Sequence, residues 1–274
     1  GEIGLFGIPV PEDFGGVGAG FADFILAVEE ISKACASTGI IIGAHTSLCA
    51  WPILQFGSDE QKEAYLPDLA SGEKLGAFAM TEPNAGSDAA GMRTFAEDKG
   101  DYFLLNGSKI FITNGEVADT YVVLASTEKG KGNQGISAFI LEKGMEGFTF
   151  GSHEDKLGIR ASSTCELVFT DVKVPKENLL GELNGGFKVA MKALDAGRIA
   201  VAAQALGIAE GAYDEAIEYV KTREQFGTAI ASFQNTQFAA AEMKTRIEAA
   251  RWLVYAAATA CDEGEDFSEK AAMA

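Results

Sequence analysis

The densest group of side chains able to do chemistry is Thr81-Glu-Pro-Asn-Ala-Gly-Ser-Asp88. It follows a strand-like stretch in which Leu75, Ala77 and Ala79 alternate with Gly76, Phe78 and Met80. Pro83, which cannot donate to a sheet ladder, ends that strand. The small residues after it let backbone N–H groups come close to a ligand, and the Thr81 and Ser87 hydroxyls can donate or accept. The edge of a planar heteroaromatic ring calls for that mixture. The same residues also make an ordinary surface turn. A second stretch, residues 104–115, reads as a hairpin, with Asn106-Gly107 as its two-residue turn and Lys109-Ile-Phe-Ile-Thr113 as the returning strand. Further on, Asp195 and Arg198 stand three apart on one helix face, a spacing that most often gives a surface ion pair.

Other chemistries are poorly supported. His45 and His153 are far apart and in no metal-ligand spacing. Cys35, Cys49, Cys165 and Cys261 include no Cys-x-x-Cys and read as free thiols in a reducing compartment. The net charge of −18 disfavours nucleic acid as a partner, while leaving room for a small anion held by a few local cations. Gly16-Val-Gly-Ala-Gly20 lacks the spacing and the preceding strand of a dinucleotide fingerprint and reads as the loop before a helix.

The elements that must position these groups fall into three regions: helical over 1–73, strand-rich over 74–184, and helical again over 185–274. In the first, Phe21, Phe24, Ile25, Val28, Ile31 and Cys35 share a helix face, with Glu29, Glu30 and Lys33 left to solvent and Gly39 as the stop. Residues 40–56 form a second, apolar helix, too short and too interrupted at Pro52 to span a membrane. Ser58-Asp-Glu-Gln61 is a capping box. In the middle, candidate strands at 75–80, 93–98, 101–105, 108–113, 120–126, 136–142, 147–151 and 164–172 suggest an antiparallel barrel or sandwich. Long amphipathic helices over about 186–222 and 233–262 suggest a bundle. Arg246 and Arg251 read there as surface or bundle charges. The class is α+β and multidomain. The chain reads as a fragment lacking sequence at both ends.

Phe78-Ala-Met-Thr-Glu-Pro83 continued by Gly86-Ser-Asp88, then Leu105-Asn-Gly107 with Lys109 and Phe111-Ile-Thr-Asn114, resembles the acyl-CoA dehydrogenase flavoproteins. Lys156-Leu-Gly-Ile-Arg160, Leu194-Asp-Ala-Gly-Arg198 and Arg223-Glu-Gln-Phe-Gly227 with Gln234 extend the resemblance along nearly the whole chain. It is nearest the bacterial short-chain, butyryl-CoA branch. The resemblance implies an N-terminal helical domain, a β-barrel-like middle domain and a C-terminal four-helix bundle, here incomplete. It also implies FAD, held by Phe78, Met80, Thr81, Gly86, Ser87, Phe111, Ile112 and Thr113, with Arg223 and Gln234 reaching the FAD of a neighbouring subunit. Trp is common where this chain has Phe111.

Acyl-CoA contacts fall, by the same resemblance, to Ser87, Leu194, Asp195 and Arg198. Lys156 and Arg160 either support the barrel or touch phosphate. The implied activity is α,β-dehydrogenation of a short-chain acyl-CoA, with electrons passed to electron-transfer flavoprotein by a homo-oligomer, a tetramer in the family. No carboxylate here is assigned as the base. Gly197 stands where one branch has its Glu, and the short-chain branch draws its Glu from a later segment, beyond Ala274. Two alternatives share the fold: an enoyl-CoA reductase of an electron-bifurcating complex, and a flavin-binding member without dehydrogenase activity. The implied location is bacterial cytoplasm, or the mitochondrial matrix after removal of a transit peptide.

Overall fold

Helices, then strands, then helices follow one another in the order expected, and the computed structural model describes residues 1–274. Helix α1 (Phe21–Ala34) buries Phe21, Phe24, Ile25 and Val28 on one face. Its stop is Cys35, which leaves helical space at φ −151° and ψ 99°. Gly39 instead lies inside α2 (Ala36–Ala44), where an added Cβ would sit 2.1 Å from the Ser32 hydroxyl oxygen. It permits a close helix approach and is not a stop. Glu29 is not solvated: it is buried and accepts from Tyr255 Oη at 2.8 Å and Arg251 Nε at 3.1 Å.

The second helix continues through a π-helical segment, His45–Ala50, into α3 (Trp51–Phe56). Pro52 does not interrupt it: it lies just after the π segment, whose altered hydrogen-bond register accommodates a residue without an N–H. The 21 residues Ala36–Phe56 are therefore long and apolar enough to cross a membrane by length and composition. Ile42, Cys49, Ala50 and Ile53 are instead buried within the protein. Helix α4 (Asp59–Ser71) opens on the expected capping box: Gln61 N–H donates to Ser58 Oγ at 3.2 Å, and Ser58 N–H to Gln61 Oε1 at 3.1 Å.

Eight strands form one sheet: β1 (Gly76–Ala79), β2 (Phe95–Asp98), β3 (Tyr102–Thr113), β4 (Thr120–Ser126), β5 (Ile136–Glu142), β6 (Phe148–His153), β7 (Thr164–Pro175) and β8 (Leu179–Leu180). The order is β6-β7-β3-β2-β4-β5-β8, with β1 also paired to β4. The sheet is mixed, because β1 runs parallel to β4 with the β2–β3 hairpin in the crossover between them. Edge strands β6 and β8 do not pair, so it is open and is neither the antiparallel barrel nor the sandwich expected.

Asn106-Gly107 is not a hairpin turn. Residues 102–113 form one strand, and the β2–β3 reversal falls at Lys99–Asp101. Opposite Asn106, strand β7 carries an extra residue, Asp171, at φ 52°. Asn106 spans this bulge, donating from Nδ2 to Asp171 Oδ1 and accepting from Asp171 N–H, each at 2.9 Å. A Cβ on Gly107 would lie 2.6 Å from Thr94 Oγ1, so glycine is needed for the approach of β2.

Strand β4 is buried on both faces. Val122 and Leu124 join a core with Ile53, Leu66 and Ala190, while Tyr121, Val123 and Ala125 join another with Phe103, Phe139 and Leu167. Helix α5 (Gly186–Thr222) reaches the first of these cores with Val189 and Ala190. Further along it packs Ile199 and Ala203 with Phe24 and Val28 of α1 and Val254 of α6 (Gln234–Asp262). A short hairpin, β9 (Glu224–Gln225) and β10 (Thr228–Ala229), separates the two long helices, and α7 (Ser268–Met273) follows. Asp262 ends α6 by accepting the N–H groups of Phe21 and Ala22, at 2.5 and 2.9 Å, which ties the bundle to the start of α1.

Candidate active site

Where the sheet meets α5 there is a cavity of about 510 Å³, a size usual for a small-molecule site. Four segments wall it. The end of β1 brings Phe78, Met80 and Thr81, and the loop after it Gly86, Ser87 and Asp88. The end of β3 brings Phe111, Ile112 and Thr113. The π segment with its flank gives Leu48 and Ala44, and the first turns of α5 give Phe187, Met191 and Leu194.

Each wall has a local cause. In the loop, the N–H groups of Glu82 and Ala85 donate to each other's carbonyls at 3.1 Å. This closes a tight turn at Pro83 and leaves the Gly86 and Ser87 N–H groups without a backbone acceptor. At Phe111, β3 gains one residue over β7, since Lys109 faces Leu167 but Ile112 faces Cys165. The bulge puts Phe111 at φ 60° and leaves the residue 57% exposed, on the wall of this cavity and of a neighbouring one of about 520 Å³. A bulky residue in left-handed space is strained, and such strain concentrates at functional sites.

The π segment matters for similar reasons. Its wider turn sets His45 against Gly76, whose N–H donates to Nδ1 at 2.8 Å. Nε2 must then carry the proton, which it donates to the Leu69 carbonyl at 3.1 Å. Burial pulls His45 down to about 4, so it is a neutral fastener between the helix and β1.

Of the residues singled out in the sequence, Phe78, Met80, Thr81, Gly86, Ser87, Phe111, Ile112, Thr113 and Leu194 meet on this one cavity. Asp195 and Arg198 do not line it. Arg198 Nη1 donates to Asp195 Oδ1 at 2.6 Å, and the other carboxylate oxygen accepts from Ser268 Oγ at 2.6 Å. Asp195 is buried, so the pair is not the ordinary surface pair that spacing alone suggests. Arg198 lines a third, apolar cavity of about 450 Å³ that shares Leu48 and Leu194 with the first. Arg223 and Gln234 lie beyond the far end of α5, about 40 Å along the axis from Leu194, on either side of the β9–β10 hairpin. Lys156 supports its own loop, donating to Thr164 Oγ1 at 2.7 Å and to the Ser162 carbonyl. Arg160 pairs with Asp155 at 2.8 Å.

Leu48, Phe187 and Met191 also line the cavity, and in the sequence they are marked only by the periodicity of their helices. Sequence reasoning passed over Glu82 and Lys109, buried behind the loop with Nζ 2.7 Å from Glu82 Oε1. A signal was present: Lys109 has the parity of the inward Phe103 and Leu105, and an inward lysine needs a partner.

The arrangement can hold a flat, mostly apolar ring against Phe and Met side chains, with hydroxyls and free N–H groups at its edge and an apolar slot beside α5. The isoalloxazine of FAD suits this donor set. The cavity offers no cation for a pyrophosphate.

Family models agree along the chain: "Acyl-CoA dehydrogenase, N-terminal domain" matches residues 1–73, the middle domain 77–172 and the C-terminal domain 184–274. The short-chain specific acyl-CoA dehydrogenase of Clostridium acetobutylicum is 54% identical over 274 residues, all of this chain and 72% of that one. A subunit of the caffeyl-CoA reductase-Etf complex of Acetobacterium woodii is 46% identical over 273 residues, 100% of this chain and 72% of that one. The structure of butyryl-CoA dehydrogenase from Megasphaera elsdenii superposes with a TM-score of 0.98 at 55% identity, covering 99% of this chain and 72% of that one. With every region matched and identity this high over the full span, the chain belongs to the acyl-CoA dehydrogenase family.

Proposed function

We propose that the protein is an FAD-dependent dehydrogenase that converts a short-chain acyl-CoA of butyryl size to its 2-enoyl-CoA and passes the electrons to an electron-transfer flavoprotein. The carrying observation is the single cavity that gathers Thr81, Ser87, Phe111 and Thr113 on one side and Leu48, Met191 and Leu194 on the other. FAD supplies, when bound, the acceptor for a hydride that no side chain can take. Phe78, Met80 and Phe111 would flank its ring, and the Thr81, Ser87 and Thr113 hydroxyls would meet its polar edge. Leu48, Phe187, Met191 and Leu194 would hold the acyl chain and keep water from the α- and β-carbons.

The α-proton of a thioester is weakly acidic and needs a carboxylate base. Gly197 has no side chain to offer, and a Cβ there would lie 2.6 Å from Leu48 Cδ2. We assign the role of base to no carboxylate of these residues. Asp195, held by Arg198 and Ser268, is assigned with Arg198 to the acyl-CoA. Arg223 and Gln234 are assigned to the FAD of a neighbouring copy, which supplies the cation missing from the cavity and makes the working unit a homo-oligomer, a tetramer by family resemblance. Bacterial cytoplasm is the location this reading implies.

A second reading has the 46% identity to the caffeyl-CoA reductase subunit in its favour: reduction of an enoyl-CoA within an electron-bifurcating complex. Steady-state rates separate the two. The first expects butyryl-CoA oxidation with electron-transfer flavoprotein as acceptor to outpace reduction of an aryl-acryloyl-CoA by the reduced flavoprotein. The reverse ranking favours the second.

A further inference from the structure

Glu82 and Lys109 are the charged pair beneath the cofactor loop, 5% and 0% exposed. Every proton on Lys109 Nζ has a direction: Glu82 Oε1 at 2.7 Å, the Met80 carbonyl at 3.0 Å and Met92 Sδ at 3.9 Å. Glu82 is satisfied as fully. Its Oε2 accepts from Arg93 N–H at 2.6 Å, and Oε1 also accepts from Thr94 N–H at 3.0 Å. Burial opposes its charge, but the neighbouring ammonium and the Arg93 N–H hold its carboxyl below the usual range. The pair therefore joins the loop to the start of β2 and to β3 at once.

The consequence lies in peptide geometry. Across a trans peptide, the carbonyl of one residue and the N–H of the next point in opposite directions. Lys109 draws the Met80 carbonyl inward, so the Thr81 N–H is turned the other way, on the side where Thr81 lines the cavity. The next peptide is fixed as well: the Thr81 carbonyl accepts from Ile110 N–H at 2.9 Å, and the Glu82 N–H reaches the Ala85 carbonyl at 3.1 Å. Two successive peptide planes are thus set from beneath, and of their four polar groups the Thr81 N–H alone has no partner, on the cavity side.

We propose that Lys109 and Glu82 are a positioning pair that aims the Thr81 N–H into the cavity as a donor to the flavin ring. The inference rests on the FAD reading above and adds two residues that touch no ligand.

The test measures FAD affinity of the full-length apoprotein by flavin fluorescence, with amide exchange at Thr81 under saturating FAD. Lys109→Met removes the donor to Met80 but strands a buried carboxylate. The double variant Glu82→Gln with Lys109→Met removes both charges and strands neither. Glu82→Asp keeps both charges and shortens the reach. The expected result is FAD binding about tenfold weaker in the double variant, the loss of one aimed hydrogen bond. Thr81 should lose its FAD-dependent protection there, and Glu82→Asp should fall between it and the wild type. Wild-type affinity and protection in a folded double variant, or in Glu82→Asp if the double does not fold, would overturn the proposal. Weaker binding with Thr81 protection intact also overturns it, since the pair would then act on stability alone. A wild-type apoprotein that takes up no FAD removes the functional reading itself, a distinct result.

Discussion

Two charge clusters in this molecule, one buried and one only partly so, are built on different plans. Beneath the cavity, Lys109 meets one carboxylate, and backbone completes the set: the Met80 carbonyl, and the Arg93 and Thr94 N–H groups on Glu82. In the bundle, Arg251 meets the carboxylates of Glu29, Glu210 and Glu248. Lys33 and Lys244 share Glu210, at 3.5 and 3.3 Å, and Tyr255 shares Glu29. Those partners are all side chains on helices. They can re-pair when one is lost, and Arg251 keeps 15% exposure to water where Lys109 has none. Backbone partners cannot re-pair without moving the loop that carries them. The first cluster shapes a site, and the second holds helices together.

The largest effect expected from this contrast is at Lys109. Lys109→Met leaves Glu82 charged and without its ammonium, and should cost about 3–5 kcal/mol in denaturant unfolding of the full-length protein. A loss below 1 kcal/mol would erase the distinction between the clusters.

Next is His45, which joins the π segment to β1. Burial lowers it to about 4 from 6.5, so on acidification the unfolded chain takes the proton first. Its contribution is intact above pH 6.5, falls as pH drops toward 4 and is gone below. The span is worth about 3 kcal/mol. Stability measured against pH should show this slope, and His45→Gln should flatten it.

Smaller still is Arg251→Met, expected to cost about 1–2 kcal/mol while FAD affinity stays at the wild-type value. A matching loss of affinity would mean that the bundle cluster also shapes the site. Least affected should be Asn106→Ala. It removes both hydrogen bonds across the β7 bulge but leaves Gly107, and should lower the melting temperature through a loss of about 1 kcal/mol with no change in cofactor binding.

How far these features could be read in the sequence depended on how local their causes are. The capping box at Ser58 and Gln61 is set within one helical turn, and both its bonds are present. The long helices follow from periodicity, and the loop at 81–88 from its turn residues. Features set by distant partners were not legible. Asn106-Gly107 carries the strongest short-range turn signal, but the close approach of Thr94 and the bulge at Asp171 keep it inside a strand. Gly39 resembled a helix stop because nothing local announces Ser32 beside it. Glu29 looked solvated because Arg251 lies 222 residues away. The parallel pairing of β1 with β4 has no periodic signature at all. At the site, residue types pointed to the loop with Thr81 and Ser87, and the family resemblance brought the named cavity-lining positions to nine, while the pair that sets the loop from beneath depended on a strand parity that only the fold makes meaningful.

In the proposed function, this cavity brings FAD and a short-chain acyl-CoA together. Anaerobic titration of the full-length protein with butyryl-CoA, followed by the visible flavin absorption, tests it most directly. The expected result is a yellow protein whose absorption bleaches as butyryl-CoA is added. A colourless protein that FAD cannot reconstitute, or a yellow one that butyryl-CoA leaves unbleached, would contradict it.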